Sequence, residues 1–384
     1  MRTVITAARL YTPEKTVEKP VLVVEDGHVA EVSRRQASEL PAGRLLDLQD
    51  LVLAPVFIDI HIHGGGGHDV MEASNQALER IELQLVNYGV GAYLPTTVTA
   101  PEDRTLRSLE HLGKAILNQD GNNRRPRPLG IHLEGPFISN EKRGVHPPRD
   151  LALPSPTAFD RLWQASQGTV RMMTIAPELP GALETIRHAC ALGVRCSLGH
   201  SNATYEQALC GISAGATHAT HTFNAMRALD HRDPGILCAV LQKETLTADI
   251  IADGIHVHPA MVELFVRIKG IDGSILITDA ISATGMPDGT YKLGEFEVEV
   301  KENRCQYQGK LAGSVLTLDQ ALRNVMRFGN VQLQDALKMA TLNPARRFGL
   351  AEKIGHIAPG RRADLVALTP QGKVVHTILG GEIA

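Results

Sequence analysis

His61 and His63 stand two residues apart in the run Phe57-Ile58-Asp59-Ile60-His61-Ile62-His63, directly ahead of four glycines, Gly64 to Gly67. The stretch before them, Leu51-Val52-Leu53-Ala54-Pro55-Val56-Phe57-Ile58, is apolar enough for a buried strand. Side chains on a strand alternate faces, so the two imidazoles point the same way. The plain reading is two locally hydrogen-bonded histidines at a strand exit. Packing explains such a pair poorly. Two ligands of one metal ion explain it better, with the glycines allowing a tight turn and close backbone approach. Imidazole is also the commonest metal ligand.

Similar residues recur further along. Glu134 follows Ile131-His132-Leu133 and precedes Gly135-Pro136. It could simply end a strand and cap a turn. A carboxylate after that apolar run is half buried, however, and needs a partner, which favours a ligand role. His200 follows Leu198-Gly199 and precedes Ser201-Asn202, good helix-capping residues. It reads as a ligand rather than a helix-start histidine. His218 and His221 end one strand and cannot both face inward under strict alternation. The choice falls on His221, because Thr222-Phe223-Asn224-Ala225-Met226 places a polar Asn and exposed backbone just beyond it. His218 is left a structural or outer role. Asp279 closes a strand rich in Ile and Leu. In a cationic site its carboxylate stays ionised and can act as a base. His256 lies at a further strand exit, and the remaining histidines fall in hairpins, helices and loops.

The elements needed to bring these residues together are legible as alternating strands and helices. Strands are expected at 92–97, 129–134, 172–177, 194–200, 216–221, 247–252 and 275–279, with helices at 75–88, 181–192 and 203–213 among them. With the strand ending at His63 these make eight strands. That suits a (β/α)8 barrel, whose active site lies at the C-terminal strand ends. Trp163 and the stripe Leu78-Ile81-Leu85 read as core. The first 50 residues look different: Val21-Leu22-Val23-Val24-Glu25-Asp26-Gly27-His28-Val29 is a strand, an Asp-Gly turn and a strand. Residues 363–368 and 374–379 form a similar pair. The expected organisation is therefore α/β: a distorted barrel over 55–345 and a small β-sandwich built from 1–54 and 346–384.

The chain has 384 residues, 43% of them hydrophobic and 21% charged, as in an ordinary globular protein. The formal net charge is −3 and the pI about 6.6. Neither nucleic acid nor an anionic membrane is indicated. No apolar run reaches the roughly 20 residues that span a bilayer, and the N-terminus lacks the apolar stretch of a signal peptide. Five cysteines, an odd number with no CxxC pair, point to a reducing compartment. The cytoplasm is the expected location.

The motifs also resemble a known family. Phe57-Ile58-Asp59-Ile60-His61-Ile62-His63-Gly64, His132-Leu133-Glu134-Gly135-Pro136, Gly199-His200-Ser201-Asn202-Ala203 and His221-Thr222-Phe223-Asn224-Ala225-Met226 are its most specific carriers. The chain looks like an amidohydrolase-superfamily enzyme and is similar, nearly end to end, to the N-acetylglucosamine-6-phosphate deacetylases. The resemblance implies the barrel with its small β-domain. It implies metal ligands Glu134, His200 and His221, with Asp279 as catalytic acid and base. Substrate contacts would come from Val145, His146, Asn224, Ala225, His256 and the Leu311-Ala312-Gly313 backbone. Arg232 matches an arginine that binds phosphate and can reach in from the other subunit of a homodimer. Some members replace the HxH pair and hold one metal; this chain keeps His61 and His63 and could hold two. The usual Pro-Gly before Phe-Ile-Asp is Pro55-Val56 here, and no functional reading attaches to that Val.

The reaction so implied is hydrolysis of the acetamide of N-acetyl-D-glucosamine 6-phosphate to glucosamine 6-phosphate and acetate. It needs a water whose pKa a metal lowers from about 15.7 towards 7. A mixed N/O donor set suits zinc, with iron or manganese as alternatives. Three rivals are weighed. N-acetylgalactosamine-6-phosphate deacetylases share every motif. Cyclic-amide hydrolases of the dihydroorotase or hydantoinase kind share HxH, but Glu134 stands where their modified lysine would be. A non-catalytic relative would be expected to have lost ligands.

Overall fold

The computed structural model describes residues 2–12, 15–34, 40–119 and 124–384. Eight parallel strands form the expected barrel: β1 (Phe57–Ile62), β2 (Val90–Thr97), β3 (Ile131–Glu134), β4 (Val170–Ile175), β5 (Arg195–Leu198), β6 (His218–Ala219), β7 (Thr247–Ile251) and β8 (Ser274–Ile277). Each pairs in parallel with the next. The ring closes just beyond β8, where Asp279 N donates to His61 O at 2.9 Å and His63 N to Ala280 O at 2.8 Å. These strands are buried on both faces almost throughout, as a parallel sheet covered by helices requires.

Helices α1 (Asn75–Asn87), α2 (Glu102–Leu117), α3 (Pro156–Ala165), α4 (Ala182–Ala191), α5 (Tyr205–Ala214), α6 (Gly235–Gln242), α7 (Pro259–Gly273) and α8 (Leu318–Phe328) alternate with the strands. Ser74 caps α1 by accepting from Ala77 N, and Leu78, Ile81 and Leu85 are buried on one stripe, as the spacing predicts. α5 starts at 205 rather than 203 because Thr204 and Gln207 form a reciprocal capping box. Lys269 on α7 is buried, and its Nζ donates to the carbonyls of Val240 (3.0 Å), Lys243 (2.9 Å) and Leu246 (2.5 Å). One side chain thus satisfies carbonyls at the end of α6 and just beyond it.

Strands from both ends of the chain make two further sheets. Leu365–Leu368 pairs antiparallel with Val52–Pro55, joining C-terminal to N-terminal segments in a six-stranded sheet. A four-stranded sheet contains Arg2–Thr6, Pro20–Glu25, His28–Arg34 and Arg44–Asp47. Ile5, Leu10, Leu22, Leu53, Leu365 and Ile378 share one core between the sheets. Of the expected 1–54 segment, Met1, Pro13, Glu14 and residues 35–39 lie outside the described residues. Val56, unassigned above, packs against Gly91 of β2: a Cβ on Gly91 would lie 2.6 Å from Val56 Cγ2.

One element was not anticipated. Between β8 and α8 the chain inserts a four-stranded antiparallel sheet: Gly289–Leu293, Phe296–Lys301, Arg304–Tyr307 and Lys310–Leu311. Leu293, Val298, Val300 and Cys305 form its core, and Val145 packs against it. Among the described residues, no helix is long and apolar enough to cross a membrane.

Candidate metal centre and active-site pocket

His61 and His63 leave β1 with their Nε2 atoms 3.2 Å apart. Asp279, just past β8, places Oδ1 3.1 Å from His63 Nε2 and 3.5 Å from His61 Nε2. Opposite them, Glu134 ends β3, and its Oε1 lies 3.1 Å from His200 Nε2 and 2.9 Å from His221 Nε2. The two imidazole nitrogens of His200 and His221 are 3.0 Å apart. The second oxygen of Glu134 is 3.1 Å from His63 Nε2, so this carboxylate faces both groups. Each trio, His61/His63/Asp279 and Glu134/His200/His221, could hold a metal ion, and all six residues are buried.

The ring orientations fit that use. His63 Nδ1–H donates to Thr96 O at 3.1 Å, and His200 Nδ1–H to Lys142 O at 2.8 Å. A carbonyl only accepts, so each neutral ring turns a lone pair at Nε2 towards the trio. His146 has the opposite tautomer. Its Nδ1 accepts from Thr99 N at 3.3 Å, which leaves its proton on Nε2, 3.6 Å from Glu134 Oε2. His146 is therefore a donor facing the trios.

Burial alone would raise the Glu134 carboxyl, but the charge of His61 and hydrogen bonds from His146, His200 and His221 hold it well below the ordinary range. Burial likewise opposes ionisation of Asp279, yet His61 and His63 bring it down to about 2. Burial pushes His200 down to about 4, whereas Glu134 outweighs burial at His221 and lifts it to about 9. Two buried carboxylates thus stay ionised beside four imidazoles. Protons or metal ions must balance them, and the same atoms would take either.

His200, His221 and Asp279 adopt left-handed backbone, with φ of 46°, 30° and 51°. Each follows a strand end, where the chain turns sharply to aim a side chain inward. Such conformations cost about 1–3 kcal/mol each for residues other than glycine. Beneath the trios lies a buried polar layer: His132 Nε2 meets Thr174 Oγ1 at 2.8 Å, and Thr174 meets Thr220 at 2.8 Å.

The trios floor a pocket of about 230 Å3. Val145, His146, Asn224, Ala225, His256, Leu311, Ala312 and Gly313 line it, with Val98, Gly144 and Leu293 in addition. His61 is fully buried underneath. His256 Nδ1 is 2.7 Å from Asp253 Oδ2, which fixes the ring. Arg232 is exposed and does not line the pocket within one chain. A larger cleft of about 570 Å3 lies against α1, α2 and Arg127-Pro128, but it contains none of the trio residues.

Two trios able to hold a metal ion, at the C-terminal end of a (β/α)8 barrel, are the arrangement expected of a metal-dependent hydrolase. The chain belongs to the Amidohydrolase family, which residues 52–384 match. The family and the trios together support a divalent metal. Among its relatives is an N-acetylgalactosamine-6-phosphate deacetylase from Escherichia coli O157:H7, 37% identical over all of both chains. An N-acetylglucosamine-6-phosphate deacetylase from Vibrio furnissii is 36% identical over 94% of this chain and 90% of its own. A solved mutant N-acetyl-D-glucosamine-6-phosphate deacetylase from Mycobacterium smegmatis, in complex with N-acetyl-D-glucosamine-6-phosphate, superposes with a TM-score of 0.93 at 34% identity, covering 100% of this chain and 99% of its own.

Proposed function

We propose that the protein hydrolyses the acetamide of N-acetyl-D-glucosamine 6-phosphate, releasing acetate and glucosamine 6-phosphate, in amino-sugar catabolism. The observation that carries the chemistry is Glu134 facing both ligand trios on the pocket floor, with ionised Asp279 beside them. The sugar phosphate is inferred from the relatives. A bound divalent ion supplies acidification of water and polarisation of the acetyl oxygen. Glu134, His200 and His221 would hold the primary ion, and His61 with His63 a second. The N/O donor set favours zinc, with iron or manganese also fitting.

Asp279 takes the proton from the attacking water and returns it to the leaving nitrogen, because an amine leaves poorly without it. His146, whose proton the Thr99 N–H keeps on Nε2, would donate to the acetyl oxygen of the bound substrate. The Leu311-Ala312-Gly313 backbone, Val145, Asn224, Ala225 and His256 would hold the sugar. No Arg or Lys lines the pocket among the described residues. Arg232, which matches the family's phosphate-binding arginine, would supply the cation, in its own chain or from the other subunit of a homodimer. Five unpaired cysteines suit a cytoplasmic enzyme.

A second reading, the C4 epimer as substrate, is favoured by the Escherichia coli O157:H7 relative. Acetate release measured on both hexosamine phosphates, with and without a chelator, tests both. Chelator-sensitive release from the glucosamine derivative is expected. Release only from the galactosamine derivative would select the second reading, and release from neither would sink both.

A further inference from the structure

His221 is oriented differently from His63 and His200. A metal-binding imidazole ordinarily donates its second ring N–H to a carboxylate or carbonyl, which fixes the ring. His63 and His200 do so, through Thr96 O and Lys142 O. His221 Nδ1 is buried and has no hydrogen-bond partner. Its aim must come from its main chain, which sits at a φ of 30°. Such backbone persists only where its surroundings over-determine it.

Those surroundings converge on Asp249 of β7. The peptide N–H of His221 donates to Asp249 Oδ1. The next N–H, of Thr222, donates to the Asp249 carbonyl at 2.9 Å. The other carboxylate oxygen accepts from His218 Nε2–H at 2.9 Å, and His218 Nδ1 meets Thr247 Oγ1 at 2.8 Å. The side chains of Asp249 and His218 are both fully buried. The carboxylate therefore has one orientation, set by His218 and read by the turn that carries His221.

We infer that Asp249, held by His218, is a positioning residue that fixes the strained backbone of His221 and so aims its Nε2 at the Glu134/His200 trio. This rests on the reading of His221 as a metal ligand. It gives His218 a specific role where its sequence context gave none.

The test titrates metal-free protein with zinc against a chromophoric chelator, at a temperature where circular dichroism shows every variant folded. Asp249→Ala is expected to weaken zinc binding about tenfold to a hundredfold, the range for losing an outer partner of a metal ligand. Asp249→Asn keeps an oxygen for the His221 N–H and is expected to lie closer to wild type. A folded Asp249→Ala with wild-type affinity, or equal losses in Ala and Asn, would overturn the role. If Asp249→Ala does not fold, His218→Leu decides: weakened affinity is expected, and wild-type affinity refutes the proposal. His221→Ala runs in parallel. Loss there with none in the Asp249 variants removes only the positioning role. No loss in either removes the metal-centre reading as well.

Discussion

The carboxylate of Asp59 accepts a 2.6 Å hydrogen bond from the Thr278 hydroxyl, 219 positions further along the chain. Its other oxygen faces the peptide N–H groups of His61 at 3.3 Å and Thr278 at 3.4 Å. One buried side chain thus ties the exit of β1, which carries His61 and His63, to the residue before Asp279. The first and last strands of the barrel are registered where they complete a single ligand trio.

Asp279→Asn should retain zinc, because the amide keeps an oxygen facing His63. Turnover should fall by about 10²–10⁴, since the proton carrier for both half-steps is lost. Steady-state kinetics with metal content measured on the same sample checks this. Near-normal kcat would exclude Asp279 as the base.

Arg232→Ala should lower kcat/KM for the phosphorylated sugar about ten- to a hundredfold, as loss of a charge-assisted pair predicts. The weak reaction of the unphosphorylated sugar should hardly change. Mixing Arg232→Ala chains with Asp279→Asn chains should restore up to one intact site per heterodimer. Absence of recovery would rule out a site shared between subunits.

Lys269→Met should cost about 2–3 kcal/mol, because three carbonyls lose their donor in the interior. Burial pushes the ammonium down to about 8 from 10.5. Between those values the unfolded chain binds more protons than the folded protein, so wild-type stability rises with pH relative to the variant. Urea titrations at pH 7, 9 and 10 measure the gap. A gap that narrows with rising pH contradicts the assignment.

Gly91→Ala should cost about 1–3 kcal/mol through overpacking against Val56. Val56→Ala in the same chain should recover about 1 kcal/mol, because the two sites are in contact. Additive effects in a double-mutant cycle would show that Val56 does not occupy the space Gly91 leaves.

The barrel and its exits were readable because strands alternate faces and the fold brings their C-terminal ends to one pocket. His61, His63, Glu134 and Asp279 follow from that alone. His221 is less direct. β6 is only two residues long, so alternation ends before His221, and a left-handed turn completes its aim. The inserted sheet does leave a signal in the sequence. Phe296-Glu297-Val298-Glu299-Val300-Lys301 alternates cleanly ahead of Glu302-Asn303, a hairpin pattern inside a stretch read as barrel. Val98 and Leu293 are not legible in the sequence, because apolar residues carry no chemical mark; only tertiary packing brings them to the pocket. The position of Arg232 was not readable either. Its loop is pinned by Arg227, which pairs with Asp233 and donates to Asn202 O, contacts with no local pattern.

The inserted sheet also backs one wall of the pocket. It contributes Leu293 and Leu311 to the pocket wall and supports Val145, yet none of the six trio residues belongs to it. A change in this one module would therefore alter a wall of the pocket while leaving the trio residues themselves unchanged. Grafting residues 289–311 between relatives of different sugar preference would show how far that wall sets the preference.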